Sequence, residues 1–183
     1  MTILHIDSSI NGEQSASRQL TKHIVDQLKG AQWGEQIVYR DLVASPLPHL
    51  TFAEFADTSV LDEFLAADTI VIGAPMYNFT IPTQLKTWFD RIAISGTTFR
   101  YTENGPEGLV GDKRVIIALA RGGFYGEGSP TAAFEFVERY LKAAFNFLGI
   151  EPEFVVAEGL AVSPEQREQA IQQALGDGIR LAA

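Results

Sequence analysis

The chain has 183 residues, 46% of them hydrophobic, which suits one domain, residues 1–183, with a sizeable core. Its formal net charge of −9 argues against a nucleic-acid backbone as partner, because neutralising phosphates takes clustered Lys and Arg. It has no cysteine, which excludes disulfides, thiolate metal sites, iron–sulfur clusters and a cysteine nucleophile. MTILHIDSSI lacks a basic segment followed by a signal-type apolar run, and no apolar run is long enough to span a membrane. The expectation is a cytoplasmic protein with no membrane or nucleic-acid partner and no metal.

Thr2 to Asp7 reads as a first strand, with His5 packed or hydrogen-bonded inside it. A polar loop, Ser8 to Ser17, closes on a helix whose buried stripe is Leu20, Ile24, Val25 and Leu28 and which Gly30 can stop. Gln36 to Asp41 is a second strand, followed by a loop to Asp57 with Pro46 and Pro48, and Leu61, Phe64 and Leu65 suggest a short helix. Thr69 to Ala74 is a short Ile/Val-rich run, as expected of a central parallel strand buried on both faces. After Met76-Tyr77-Asn78-Phe79, a helix begins near Pro82 and sets Leu85, Trp88, Phe89 and Ile92 on one face. Phe99 to Val110 reads as a hairpin-like excursion turning at Asn104 to Gly108. Arg114 to Ala120 is another buried strand and empties into Arg121-Gly122-Gly123-Phe124-Tyr125-Gly126. Thr131 to Leu148 reads as a helix with Val137, Leu141, Ala144 and Leu148 inward and a Schellman stop at Gly149-Ile150. Glu153 to Ala157 is the fifth core strand, and Pro164 opens a last helix carrying Ile171 and Leu175. Five strands alternating with helices imply a doubly wound parallel sheet. A ligand loop after the first strand makes the flavodoxin-like order 2-1-3-4-5 the natural one, with the site at the carboxyl ends of strands one, three and four.

Three loops leave those ends. The first sets Ser9, Ser15 and Ser17 near a helix start, where unpaired N–H groups and partial positive charge favour an anion; Arg18 and Lys22 add local charge. One of these serines could instead serve only as an N-cap. Neither G-x-x-x-x-G-K-[ST] nor G-x-G-x-x-G is present, which points to a monophosphate rather than a dinucleotide. The second loop, Met76 to Phe79, is apolar and aromatic at the mouth of a sheet. It would suit a flat aromatic cofactor, or simply cover a helix end. In the third, Gly122 and Gly123 allow close backbone approach to a ligand, or form a plain flexible loop.

The stretches SSINGEQSASRQLT, IGAPMYNFTIPTQLKTWFDRI, TFRYTENGPEGLVGDKR and ARGG, with FVVAEG, resemble the FMN-dependent NADH-azoreductases, also described as FMN-dependent NADH:quinone oxidoreductases. PMYNF followed by its helix, and FRYTENGPEGL, carry the specificity of the likeness. The resemblance implies a flavodoxin-like homodimer that holds FMN non-covalently and takes electrons from NADH in a ping-pong cycle. Quinones would be reduced in one cycle and azo compounds in two. It further implies that Ser9, Ser15, Ala16 and Ser17 hold the phosphate, that Met76, Tyr77, Asn78 and Phe79 border the isoalloxazine, and that Ala120, Arg121, Gly122 and Gly123 line its other edge. The family usually has serine where Ala120 stands, and the segment between Leu50 and Thr69 is shorter than the family pattern. Tyr125, just after the paired glycines, is a candidate proton donor or gate, or packs only. A flavodoxin-type carrier of single electrons between proteins remains the rival reading; strong acidity fits it.

Overall fold

The computed structural model describes residues 1–31 and 36–182. Strands β1 (Thr2–Asp7), β2 (Gln36–Asp41), β3 (Thr69–Pro75), β6 (Arg114–Ala120) and β7 (Glu153–Ala157) form one parallel sheet in the order β2-β1-β3-β6-β7. With the two strands of the excursion set aside, this is the expected 2-1-3-4-5 order. Those strands, β4 (Phe99–Thr102) and β5 (Gly105–Gly108), pair antiparallel, so Gly105 to Gly108 is itself a strand and the turn falls one residue earlier than the Gly and Pro suggest. The helices are α1 (Ala16–Ala31), α2 (Ser59–Ala66), α3 (Thr83–Ile92), α4 (Val137–Phe147) and α5 (Pro164–Ala182).

Strand alternation divides the core into two layers. Leu4, Ile6, Ile70, Ile72, Ile117 and Leu119 pack on Phe64 of α2, Leu85, Trp88 and Phe89 of α3, and Leu141 and Phe145 of α4. Ile3, Val71, Ile116 and Ala118 pack on Leu20, Ile24, Val25 and Leu28 of α1 and on Ala170 and Ala174 of α5. The same alternation turns His5 and Asp7, both buried, toward α1.

Element ends follow local chemistry. Among the described residues there are three short 3-10 turns: Gly12–Gln14 and Phe52–Ala56 occupy stretches read from sequence as loop, and Ala132–Phe134 one read as helix. α4 begins at Val137 and not near Thr131 because the Glu135 carboxylate accepts the N–H groups of Val137 and Glu138 at 3.0 and 2.9 Å, capping the helix there. At its other end the Gly149 N–H reaches Asn146 O and the Ile150 N–H reaches Phe145 O, both at 3.0 Å, with Gly149 at φ 90°: the expected Schellman stop. α1 runs past Gly30 to Ala31.

The excursion docks at the end of the sheet where β7 starts. A Cβ on Gly108 would lie 2.1 Å from the backbone N of Gly149, so the hairpin sits on the α4 stop with no room for a side chain. Gly108→Ala is expected to destabilise the protein by about 1–3 kcal/mol through overpacking against backbone. Each kcal/mol should lower Tm by roughly 2–4 °C in a chain of this size. A thermal melt reads this directly, and an unchanged Tm would show that the hairpin can slide off α4 without loss.

Candidate functional site

The sheet register brings the carboxyl ends together: Asp7 lies beside Gly73, Pro75 beside Ala120, and Ala120 beside Ala157. The loops after β1, β3, β6 and β7 therefore open on one edge.

In the first loop Ser9, Ser15 and Ser17 are all buried. Ser15 is the residue before α1, and its Oγ accepts the Arg18 N–H at 3.3 Å, so it does cap the helix. The Ser15 and Ser17 hydroxyls lie 3.1 Å apart. The first N–H groups of a helix have no acceptor within it; at α1 those of Ala16 and Ser17 point out of the helix start beside these hydroxyls. Ser8, which sequence reasoning passed over, is fully buried and donates to the Gly73 carbonyl at 2.6 Å, tying the exit of β1 to β3.

The second loop is joined to the first by Tyr77, whose hydroxyl lies 3.2 Å from Ser9 Oγ and accepts the Ile10 N–H at 3.2 Å. Tyr77 and Thr80 exchange backbone hydrogen bonds at 3.0 and 3.2 Å around a tight turn. The two residues between them, Asn78 at φ 48° and Phe79 at φ 74°, adopt the left-handed conformation without being glycine. Met76 N–H donates to Ala120 O at 2.8 Å, and Phe79 O accepts the Phe136 N–H at 3.1 Å, so the turn is hooked to β6 and to the third loop.

The third loop, residues 121–136, brings Tyr125 edge-on to Phe79 with ring centroids 6.3 Å apart, and Phe134 to 5.2 Å on the same ring. Phe79, Phe124, Phe134 and Phe136 are each about half exposed. Phe99, by contrast, is buried, while Tyr101 is exposed. The Arg121 side chain turns into a nest of Glu135, Glu138 and Glu158, which leaves its backbone at the strand end. Gly123 has a local reason to be glycine: a Cβ there would press on the Tyr125 ring at 3.2 Å.

Neither basic residue near the first loop is free for an anion. Lys22 pairs with Asp26 on the exposed side of α1. Arg18 forms a two-pronged pair with Asp41, at 2.7 and 2.9 Å, and donates to the Ser9 carbonyl at 2.8 Å. It braces the loop from behind. The Arg18 hydrogen bonds hold the Asp41 carboxyl at a pKa of about 2. Beside them, Asp7 takes hydrogen bonds from Thr21 at 2.9 Å and Tyr39 at 3.0 Å, and His5 Nε2 lies 3.5 Å away in an electrostatic contact outside hydrogen-bond geometry. Burial pushes Asp7 up, yet the contacts with His5, Thr21 and Tyr39 outweigh it and leave the carboxyl below its ordinary value. Burial and the Asp7 charge push the Tyr39 hydroxyl to about 12. A cavity of about 670 Å³ opens on this cluster, between α1 and the β2 edge, away from the aromatic loops. We take the loop mouth as the site because the helix-start N–H groups and the apolar wall converge there, whereas at the cavity Arg18 is taken up by Asp41 and Asp7 by Thr21 and Tyr39.

Among the described residues no cluster of His, Asp or Glu is arranged to hold a metal ion, and no helix is long and apolar enough to cross a membrane.

The family described as having a flavodoxin-like fold matches residues 1–178. FMN-dependent NADH:quinone oxidoreductase 2 of Bradyrhizobium diazoefficiens is 50% identical over 201 aligned positions that cover all of both chains. Since this chain has 183 residues, that relative carries residues with no counterpart here. An azoreductase from Bacillus anthracis str. Sterne superposes with a TM-score of 0.90 at 31% identity, covering 100% of this chain and 98% of that one. An FMN-dependent NADH-azoreductase from Bacillus anthracis str. Ames Ancestor, solved in complex with FMN, gives 0.86 at 30% identity and covers 100% and 99%.

The Asp41–Arg18 brace has a pH signature. A carboxyl held below its unfolded pKa stabilises the fold above that unfolded value, and the contribution is lost as pH falls through the folded one. For Asp41 the window runs from about pH 4 down to about pH 2. Asp41→Asn is expected to lose roughly 2 kcal/mol at neutral pH and to show a flatter acid limb than the parent. Urea unfolding at several pH values measures the difference, and identical limbs would show that the pair contributes nothing.

Proposed function

This chain belongs to the flavodoxin-like fold family and, within it, to the FMN-dependent NADH:quinone oxidoreductases, and from that premise we propose that it is a cytoplasmic enzyme that binds FMN non-covalently and passes electrons from NADH to quinones and aromatic azo compounds. The observation that carries the assignment is the union of a polar and an apolar pole. The buried Ser9 hydroxyl, in the loop that leads to the buried Ser15 and Ser17 at the start of α1, is joined through the Tyr77 hydroxyl to an aromatic turn 68 residues away in sequence. A phosphate-bearing flat ring system asks for that pairing.

The residues present fit the group. Ser9, Ser15 and Ser17, with the N–H groups of Ala16 and Ser17, would hold the phosphate through neutral donors and the helix dipole, because Arg18 and Lys22 are engaged elsewhere. Met76 to Phe79 and the backbone of Ala120 to Gly123 would flank the ring, with one hydroxyl fewer than the usual family pattern because position 120 is alanine. When bound, FMN supplies a carrier that takes two electrons from NADH and yields them to an acceptor. The chain's own part is to bind, orient and exclude water. Phe79, Tyr125 and Phe134 form an apolar wall beside the mouth. We assign Tyr125 the protonation of the acceptor; Tyr125→Phe with unchanged turnover would leave it packing alone.

NADH and the acceptor would use one stacking surface in turn, consistent with the lack of a dinucleotide fingerprint. A quinone would need one round and an azo bond two. The half-exposed Phe79, Phe134 and Phe136 support a homodimer that covers the mouth.

Purified protein is expected to be yellow and to bleach when NADH is added without oxygen or a partner protein. Protein that NADH alone cannot bleach would instead be a one-electron carrier. Initial rates with both substrates varied should give parallel double-reciprocal lines; intersecting lines would mean that donor and acceptor bind together. Ser17→Ala should weaken FMN binding about fivefold, the size of one lost hydrogen bond. An unchanged Kd would move the phosphate elsewhere.

A further inference from the structure

The third loop has little regular structure, yet it presents Tyr125 and Phe134 to the mouth. Two ties hold it. The first is a backbone ladder to the loop after β7: Leu160, Ala161 and Gly159 N–H groups donate to the carbonyls of Arg121, Gly122 and Gly123 at 3.1, 2.8 and 3.0 Å. The second is Arg121, 2% exposed at the end of β6, with Glu138 at 2.6 Å, Glu135 at 3.2 Å and Glu158 at 3.3 Å.

The three carboxylates are not equivalent. Glu135 is spent on capping α4, and Glu138 stands in the first turn of that helix. Glu158 connects the buried guanidinium to the Tyr125 peptide. The Oε2 atom that meets Arg121 also accepts the Tyr125 N–H at 3.1 Å. The Oε1 side of Glu158 is packed against neighbouring backbone, while the rest of the side chain borders a cleft shared with Phe124 and Gln166. A Cβ on Gly126 would lie 3.2 Å from Glu158 Oε1, and one on Gly159 would lie 2.6 Å from Phe124 Cζ. With its peptide held at Glu158 and its ring lying over Gly123, Tyr125 stands at a set distance from Phe79.

We propose that Glu158 is a positioning residue for acceptor selection: by bridging Arg121 to the Tyr125 peptide it holds the Tyr125 ring against Phe79 in the wall beside the mouth and thereby favours small flat quinones over bulky azo dyes. It touches neither the phosphate loop nor the turn at Asn78–Phe79. The backbone of Arg121 to Gly123 keeps its own ladder to residues 159–161, so loss of Glu158 frees Tyr125 on the acceptor side and leaves FMN binding alone. The inference rests on the proposed function for its substrate classes, but the bridge itself can be read without any substrate.

The test uses the full chain in two arms. Amide hydrogen exchange on the FMN-free protein reads the bridge: Glu158→Ala should speed exchange at Tyr125 about tenfold while α1 and β3 stay protected. Kinetics on the FMN-loaded enzyme read selection. The ratio of kcat/KM for a benzoquinone to that for a bulky azo dye should fall about fivefold, mostly through the KM of the dye, with the FMN Kd unchanged. Glu158→Gln, whose amide oxygen still accepts the Tyr125 N–H, should restore slow exchange and most of the ratio. Faster exchange with an unchanged ratio would reduce Glu158 to a structural residue and overturn the proposal, as would exchange that does not move. Should Glu158→Ala fail to fold, Glu158→Asp, one methylene too short to reach both partners, carries the same two readouts. A parent protein that neither binds FMN nor oxidises NADH would sink the proposed function instead, a result the exchange arm cannot imitate.

Discussion

The mouth rests on one buried carboxylate. Asp7 ends β1 with its side chain enclosed by Thr21 of α1, Tyr39 of β2, His5 of its own strand and the backbone of Gly73 in β3. A Cβ on Gly73 would sit 2.8 Å from Asp7 Oδ1, so the carboxylate occupies the space a side chain would take. Burying an unpaired charge costs several kcal/mol, and here hydrogen bonds from separate elements offset that cost. The same bonds fix where α1 starts relative to the ends of β1 and β3, and hence where its N–H groups point.

Two arginines brace the site from opposite sides by the same logic. Arg18 clamps the Ser9 carbonyl to Asp41 behind the first loop, and Arg121 gathers three glutamates beneath the third. The planar guanidinium, with five donors in a fixed fork, suits bracing better than a flexible ammonium would. In a chain of net charge −9 the proposed phosphate contact would then fall to hydroxyls, backbone N–H groups and the helix dipole, without long cationic side chains in the mouth.

Between the braces lies strain. Asn78 tolerates the left-handed region, whereas Phe79 at φ 74° does so at a cost of about 1–3 kcal/mol. The turn persists because Tyr77 and Thr80 close it, Phe136 N–H holds Phe79 O, and Met76 N–H holds β6. The outcome is a half-exposed ring at the mouth, pressed between Tyr125 and Phe134.

The sequence by itself determined the five parallel strands, the helices between them and the three loops at the carboxyl ends, because those signals are local. Apolar runs such as Thr69–Ala74, the Leu85-Trp88-Phe89-Ile92 stripe and the Gly149 stop each declare an element within a few residues. The same local signals misled at Thr131, where helical residues precede a cap that only the Glu135 side chain reveals. Tertiary structure alone decided which charges meet. Arg18 reads as an anion ligand beside a serine loop, yet Asp41, 23 residues on, claims it; Arg121 reads as a mouth residue, yet Glu158, 37 residues on, helps draw it under the loop. No periodicity encodes such pairs. They exist because strand order sets distant chain ends side by side, and a buried guanidinium must then take whatever carboxylates that order supplies.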